Sequence, residues 1–187
     1  MDEIRTGKIE TLVKEAFTYY KNKRNDKANI VVEQLEQAMI ESLDNFNLIY
    51  RLGILYKLLG SFTKAAAYLR QGAALKPKNS GVWRELGNIE FLIGNVAEAL
   101  GCYQTAVSLT PEDAVLQSNL GFLFNKSAKY EEALQCFDRA LSLQPENQFA
   151  RCNRYHLLLK MGDYRKGFAE MEYRWTMTRY KKLFEFT

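Results

Sequence analysis

An all-α fold built of repeated antiparallel helix pairs is what the sequence predicts, on three observations. The first is an internal repeat of 34 residues. The stretch Trp83-x2-Leu86-Gly87, Gly94-Asn95, Ala99-x3-Tyr103, Ala106, Leu109 and Pro111 recurs downstream as Leu120-Gly121, Ala128, Ala133-x3-Phe137, Ala140, Leu143 and Pro145. It recurs upstream as Leu52-Gly53, Gly60, Ala65-x3-Leu69, Gly72, Leu75 and Pro77. A period of that length marks stacked supersecondary units. The second observation is a proline closing each of the three copies, where a helix cannot continue. The third is a set of glycines inside the expected helices, Gly53, Gly87 and Gly121. Each costs about 0.5–1 kcal/mol relative to alanine, and a cost repeated in phase implies close approach of two helices.

In chain order, residues 1–11 read as a frayed lead-in. A helix is expected from Thr11 to about Lys23 and a second from about Lys27 to Leu43, the two forming a degenerate hairpin over 12–45. Tyr19 and Val31 stand there where the other copies have glycine and alanine, which suits a terminal cap. Regular copies follow at 46–79, 80–113 and 114–147. Asn45, Asn79, Asp113 and Asn147 precede successive first helices at one phase, as short polar side chains that can accept from free backbone N–H groups. Gly60 and Gly94 suit left-handed C-caps, and Ser61 or Asn95 could then cap the second helix. Within each pair Ala65, Ala99 and Ala133 are expected as small partners of the interior glycines, with Leu69, Tyr103 and Phe137 filling the space beside them.

The fourth copy, 148–175, diverges. Tyr155 replaces the interior glycine, Gly167 replaces the alanine and no proline closes it. Residues 176–187 then carry Met177, Tyr180, Leu183, Phe184 and Phe186, an apolar stripe expected on a terminal helix that either caps the last face or forms an interface. All 187 residues are expected to form one solenoid domain.

Hydrophobic residues make up 47% and charged residues 26%, which places the chain among folded globular proteins. The net charge of +4 is too mild for a dedicated nucleic-acid binder. The polar N-terminus and the lack of a long apolar run predict no signal peptide and no membrane insertion, so a cytoplasmic protein is expected. Cys102, Cys136 and Cys152 are odd in number with no CxxC spacing, against both a disulfide framework and a zinc site. With His156 the only histidine and no phosphate loop, HExxH or G-x-S-x-G, no catalytic constellation is visible. A non-enzymatic chain without cofactor or metal is expected.

The period, the Trp83-x2-Leu86-Gly87 opening and the in-phase alanines and prolines resemble the tetratricopeptide repeat (TPR) proteins, over nearly the whole chain. The resemblance implies a right-handed superhelix of antiparallel helix pairs, acting as a protein-interaction scaffold whose concave groove is lined by the first helix of each pair. The residues pointing away from the glycine-leucine edge are then Asn47, Tyr50, Ile54 and Lys57; Arg84, Asn88 and Phe91; Ser118, Asn119, Phe122 and Asn125; and Phe149, Cys152, Asn153 and His156. Asparagines offer donors and acceptors to a peptide backbone, and aromatic rings bury area at low entropy cost. A protein or peptide partner is implied, with Arg84 and Lys57 reading its acidic groups. Family members that clamp a terminal carboxylate use a basic residue and asparagines where Arg84, Asn88 and Asn119 stand, but Phe149 and Asn153 hold the remaining basic places, so that clamp is incomplete. Asn119 and Asn153 also lie at one phase, similar to the asparagine ladder of the O-linked N-acetylglucosamine transferase repeats. The stretch from Gly162 to Trp175, opening Gly162-Asp163-Tyr164 and closing Glu172-Tyr173-Arg174-Trp175, is similar to a variant last repeat of bacterial TPR proteins, some continuing into a glycosyltransferase-like domain. Two other readings therefore stand beside the scaffold: a recruiting arm of a larger enzyme, and self-assembly of two copies through the terminal stripe.

Overall fold

In a computed structural model of the protein, residues 2–40 and 45–175 are described. Ten helices occur among them: α1 Asp2–Lys21, α2 Asn25–Ile40, α3 Phe46–Leu58, α4 Phe62–Leu75, α5 Ser80–Leu92, α6 Val96–Leu109, α7 Ala114–Lys126, α8 Tyr130–Leu143, α9 Gln148–Lys160 and α10 Tyr164–Trp175. Consecutive helices pack as the pairs α1·α2, α3·α4, α5·α6, α7·α8 and α9·α10, as the repeat predicts. The chain divides into two compact units, residues 1–109 and 110–187. In the first unit the first helices α1, α3 and α5 touch in succession; in the second, α7 touches α9. The expected terminal helix at 176–187 and the end of the second helix at Leu43 lie outside the described residues.

The first helix is longer than expected. It starts at Asp2, so the supposed lead-in is helical. One physical cause is legible: Ile9 packs on the core of the first unit. Gly7 meets nothing within 4 Å and so interrupts no packing.

First-helix caps are as the sequence implies. Asn45, Asn79 and Asn147 each accept from the backbone N–H three residues on, at 3.1, 3.2 and 3.0 Å, and Asp113 accepts from both Val115 and Leu116. Among second helices, Asp163 caps α10 by accepting from the Lys166 N–H at 3.2 Å, but the two expected caps do not form. Ser61 makes no side-chain cap bond, and the Asn95 amide donates to Glu90 at 2.9 Å instead. Between paired helices the chain turns through left-handed backbone at Gly60, Gly94 and Gly162, with φ of 78°, 91° and 85°. Ala128 holds the same conformation at φ 58° without glycine's freedom.

The interior glycines mark the closest helix contacts. A Cβ on Gly53 would lie 2.8 Å from Leu69 Cγ, on Gly87 2.7 Å from Tyr103 Cδ2, and on Gly121 2.9 Å from Phe137 Cε1. The residue facing each glycine is therefore the bulky one, joined in the last two pairs by the Cβ of Cys102 or Cys136 at 3.2 and 3.0 Å. The alanines expected as partners, Ala65, Ala99 and Ala133, are wholly buried close by. In the fourth pair the arrangement is exchanged: a Cβ on Gly167 of α10 would lie 2.6 Å from Leu159 Cδ2 of α9. The glycine of the close contact lies here on the second helix, at the phase where the other copies have alanine.

Each proline junction is tied by a side chain six residues on. The Trp83 indole N–H donates to Pro77 O at 2.8 Å, Gln117 Nε2 to Pro111 O at 3.1 Å, and the Arg151 guanidinium to Pro145 O at 2.5 Å. Three unlike residues thus supply one N–H donor at one phase.

The degenerate hairpin is fastened to the first regular pair by a polar clip. Tyr68 of α4 donates to Glu36 Oε1 of α2 at 2.7 Å, and Lys64 Nζ lies 3.7 Å from the same oxygen and donates to the Tyr56 hydroxyl at 3.2 Å. The rings of Tyr56 and Tyr68 stack with centroids 5.6 Å apart. Burial would raise the Glu36 carboxyl, but the hydroxyls of Tyr56 and Tyr68 and the Lys64 ammonium outweigh it and hold its pKa below 4.5. Burial, then the Glu36 carboxylate, pushes both tyrosines well above 10.0. The carboxylate's contribution to stability is present above 4.5 and is lost as pH falls through its depressed folded value; the phenols' contribution is present below 10.0 and is lost as pH rises through their elevated values. Wild type and Tyr68→Phe are expected to differ most in Tm between those limits, with the gap narrowing at either extreme. A gap that widens toward acid would contradict the clip.

Candidate functional site

In the first unit, the residues expected to line the first-helix face converge on a carboxylate belonging to the chain. Glu85 is only 8% exposed. Lys57 Nζ of α3 donates to its Oε2 at 2.7 Å, Arg84 Nε lies 3.3 Å from its Oε1, and Asn88 Nδ2 lies 3.4 Å from Oε2. The Tyr103 hydroxyl of α6 donates in turn to Asn88 Oδ1. Tyr50 stacks on Phe46 with centroids 5.9 Å apart. Burial first and the Glu85 charge second push that phenol above its usual pKa, against the opposing Arg84 guanidinium. Lys57, Arg84 and Asn88, expected to read an outside carboxylate, thus already hold an internal one. Asn47 is exposed, and Ile54 and Phe91 are half-buried on the same helices.

A second buried acid, Glu90, is 1% exposed. It accepts from Arg70 of α4 at 2.5 Å and from Asn95 at 2.9 Å. Neither glutamate was among the residues singled out from the sequence. For Glu90 a signal existed: its equivalents at the same phase are Tyr56, Phe124 and Leu158, all buried, so a lone acid in that column requires a buried partner.

In the second unit, α7 and α9 bring Phe122 and Phe149 together with centroids 5.8 Å apart and planes tilted by 51°. Lys126 Nζ stands 5.3 Å from the Phe122 ring centroid. Phe149 is 45% exposed and Phe122 half-buried. Asn119, Asn125, Cys152 and Asn153 are partly buried, and His156 is exposed with its ring 3.8 Å from that of Tyr155. Asn153 donates to the Phe149 carbonyl of its own helix at 2.8 Å. Ser118 departs from expectation: it is 1% exposed and its hydroxyl donates to Val115 O at 2.9 Å, so it offers no surface to a partner. Its small size lets α7 bury that position, and a self-satisfied hydroxyl removes the cost of doing so.

On the far side of α9, Arg154 bridges Asp138 of α8, at 2.6 Å, and Glu170 of α10, while Arg151 Nη1 lies 3.6 Å from Glu170. These arginines hold neighbouring helices together. Among the described residues no group of three or more His, Cys, Asp or Glu is placed to hold a metal ion, and no helix is long and apolar enough to cross a membrane.

Models of the tetratricopeptide repeat match residues 46–79 and 114–147, and a TPR repeat model matches 87–128; together they span just over half of the sequence. The chain belongs to the tetratricopeptide repeat family. Its TPR fold is also that of solved structures. A crystal structure of MamA protein is 16% identical, with 100% of this chain and 98% of that one covered at a TM-score of 0.83. A tetratricopeptide repeat protein from Parabacteroides merdae is 22% identical over 91% of this chain and 67% of that one, at 0.80. MamA from Desulfovibrio magneticus is 16% identical over 91% and 97%, at 0.78. At these identities the likeness is one of fold. Sequence comparison with curated proteins returns no match. The chain is thus an all-α TPR solenoid of helix pairs, of the class that serves as protein-interaction scaffolds.

Two thiols of the TPR second helices test how tightly the pairs close. Burial, then nearby Glu90 for Cys102 and Glu132 for Cys136, pushes each up to about 11 from 9.0. At pH 8 about one such thiol in a thousand is ionised, against about one in ten at the unshifted value. Alkylation by iodoacetamide, followed site by site by mass spectrometry, is expected to be about a hundredfold slower at Cys102 and Cys136 in the folded chain than in urea. Equal rates would mean that the helix pairs open freely.

Proposed function

We propose that this protein is a non-enzymatic scaffold that holds an extended peptide, or one helix of a partner, along the first-helix face of its second unit. One observation carries the reading. Phe149 leaves nearly half its surface in solvent while tilted against Phe122, on two helices that also carry the amides Asn119, Asn125 and Asn153 together with Cys152 and His156. An aromatic pair of that kind gains by burying its open edge under a partner's side chain, and flanking amides can pair with the partner's backbone. In the first unit the equivalent row spends Lys57, Arg84 and Asn88 on Glu85.

The double substitution Phe122→Ala/Phe149→Ala separates binding from folding. Full chain of either form, matched for helicity by circular dichroism, serves as bait in the source cell's lysate, and captured proteins are compared by mass spectrometry. A protein retained by wild type and lost by the double variant is the expected result. Identical capture by both forms would contradict the reading and move the interaction to another face.

A further inference from the structure

The helices that carry the aromatic pair also differ from the rest of the second unit in charge. Neither α7 nor α9 contains a single Asp or Glu, whereas α8 carries Glu131, Glu132 and Asp138, and α10 carries Glu170 and Glu172. The four cations of α7 and α9 fall into two groups. Arg151 and Arg154 are committed to Glu170 and Asp138 on neighbouring helices. Lys126 and Lys160 instead stand over rings, Lys126 5.3 Å from the Phe122 centroid and Lys160 4.5 Å from that of Tyr130. An ammonium over an aromatic face keeps most of its charge available, because the ring quadrupole supplies only a fraction of what a carboxylate would. Lys126 thus sets a positive charge beside the open aromatic edge, and no acid on either helix offsets it.

We infer that the ligand of this face is an acidic peptide segment: a bulky apolar side chain that inserts at the Phe122–Phe149 edge, with a carboxylate next to it that meets Lys126. This rests on the face proposed above and adds the chemistry of its occupant. The apolar side chain contributes the buried area. The carboxylate contributes orientation and excludes basic sequences, since a lysine or arginine at that place would meet Lys126 with no acid on α7 or α9 to relieve the repulsion. The chain's own residues beyond Trp175 include Lys181-Lys182 and a single acid, Glu185, which fits this requirement poorly. In the first unit Lys57 and Arg84 of the equivalent row are already engaged by Glu85.

The test uses the full-length chain and three fluorescein-labelled peptides: Gly-Ser-Asp-Glu-Phe-Glu-Asp-Leu-Ser-Gly, the same with lysine for every acid, and the same with alanine for Phe and Leu. Fluorescence polarisation gives affinity, and amide chemical-shift changes give the face. The acidic aromatic peptide is expected to bind with a Kd of about 100 μM or tighter, with shift changes confined to α7 and α9. Phe149→Ala and Lys126→Glu are each expected to weaken it about tenfold, and Asn88→Ala in the first unit to leave it unchanged. Equal or tighter binding of the lysine peptide at α7 and α9 overturns the acidic assignment while leaving the face in place. Shift changes centred on α8 or α10 overturn the face itself, and silence of all three peptides at about 1 mM overturns the inference.

Discussion

The contact on which the rest of the structure depends is a residue without a side chain on one helix lying against a bulky side chain on its partner. Gly53 against Leu69, Gly87 against Tyr103 and Gly121 against Phe137 bring paired helices closer than any added Cβ would permit. That distance sets where everything else sits. It buries Ala65, Ala99 and Ala133 completely, puts Cys102 and Cys136 against the opposing backbone, and lets Tyr103 reach across to Asn88. The helix-interior glycine costs propensity at each copy; the close contact recovers it as buried area and dispersion. What matters is that one side of the contact is small. In the fourth pair the small residue is on the second helix, Gly167, and lies against Leu159 of the first.

Much of this was legible because repetition exposes whatever is held at one residue type. The short polar caps Asn45, Asn79, Asp113 and Asn147, the turn glycines Gly60, Gly94 and Gly162, and the interior glycines of the three regular copies recur at fixed phases, and each has the role its chemistry implies. Functions shared by unlike residues were not legible. Trp83, Gln117 and Arg151 have nothing in common as residue types, yet each carries an N–H donor long enough to reach the proline carbonyl six residues back. Local patterning also failed at α1, where tertiary packing of Ile9 extends a helix that the leading residues do not announce.

The face reading fared unevenly for one electrostatic reason. A side chain's phase says which way it points, but not whether its charge is already spent. Arg84, Lys57 and Asn88 lie on the expected face and are engaged by Glu85, one residue along the same helix from Arg84. Phe122 and Phe149 lie on the equivalent face of the other unit with an edge still open. The two units therefore share the helix-pair arrangement and differ in how the side chains of their first helices are engaged. Ser118 shows the same limit from the other side, its hydroxyl being satisfied within its own helix.

The central claim is that one small residue facing one large one sets the spacing of the four pairs from α3 to α10, whichever helix carries the small one. A double-mutant cycle in the fourth pair tests it most directly, because Leu159→Ala removes both side-chain atoms that a Cβ on Gly167 would strike, at 2.6 and 2.9 Å. By urea denaturation, Gly167→Ala alone is expected to cost about 2 kcal/mol and Leu159→Ala alone a similar amount. The double variant should then be more stable than the sum of the two losses by about 1 kcal/mol or more. Strict additivity would mean that the two residues do not set each other's position, and would contradict the account.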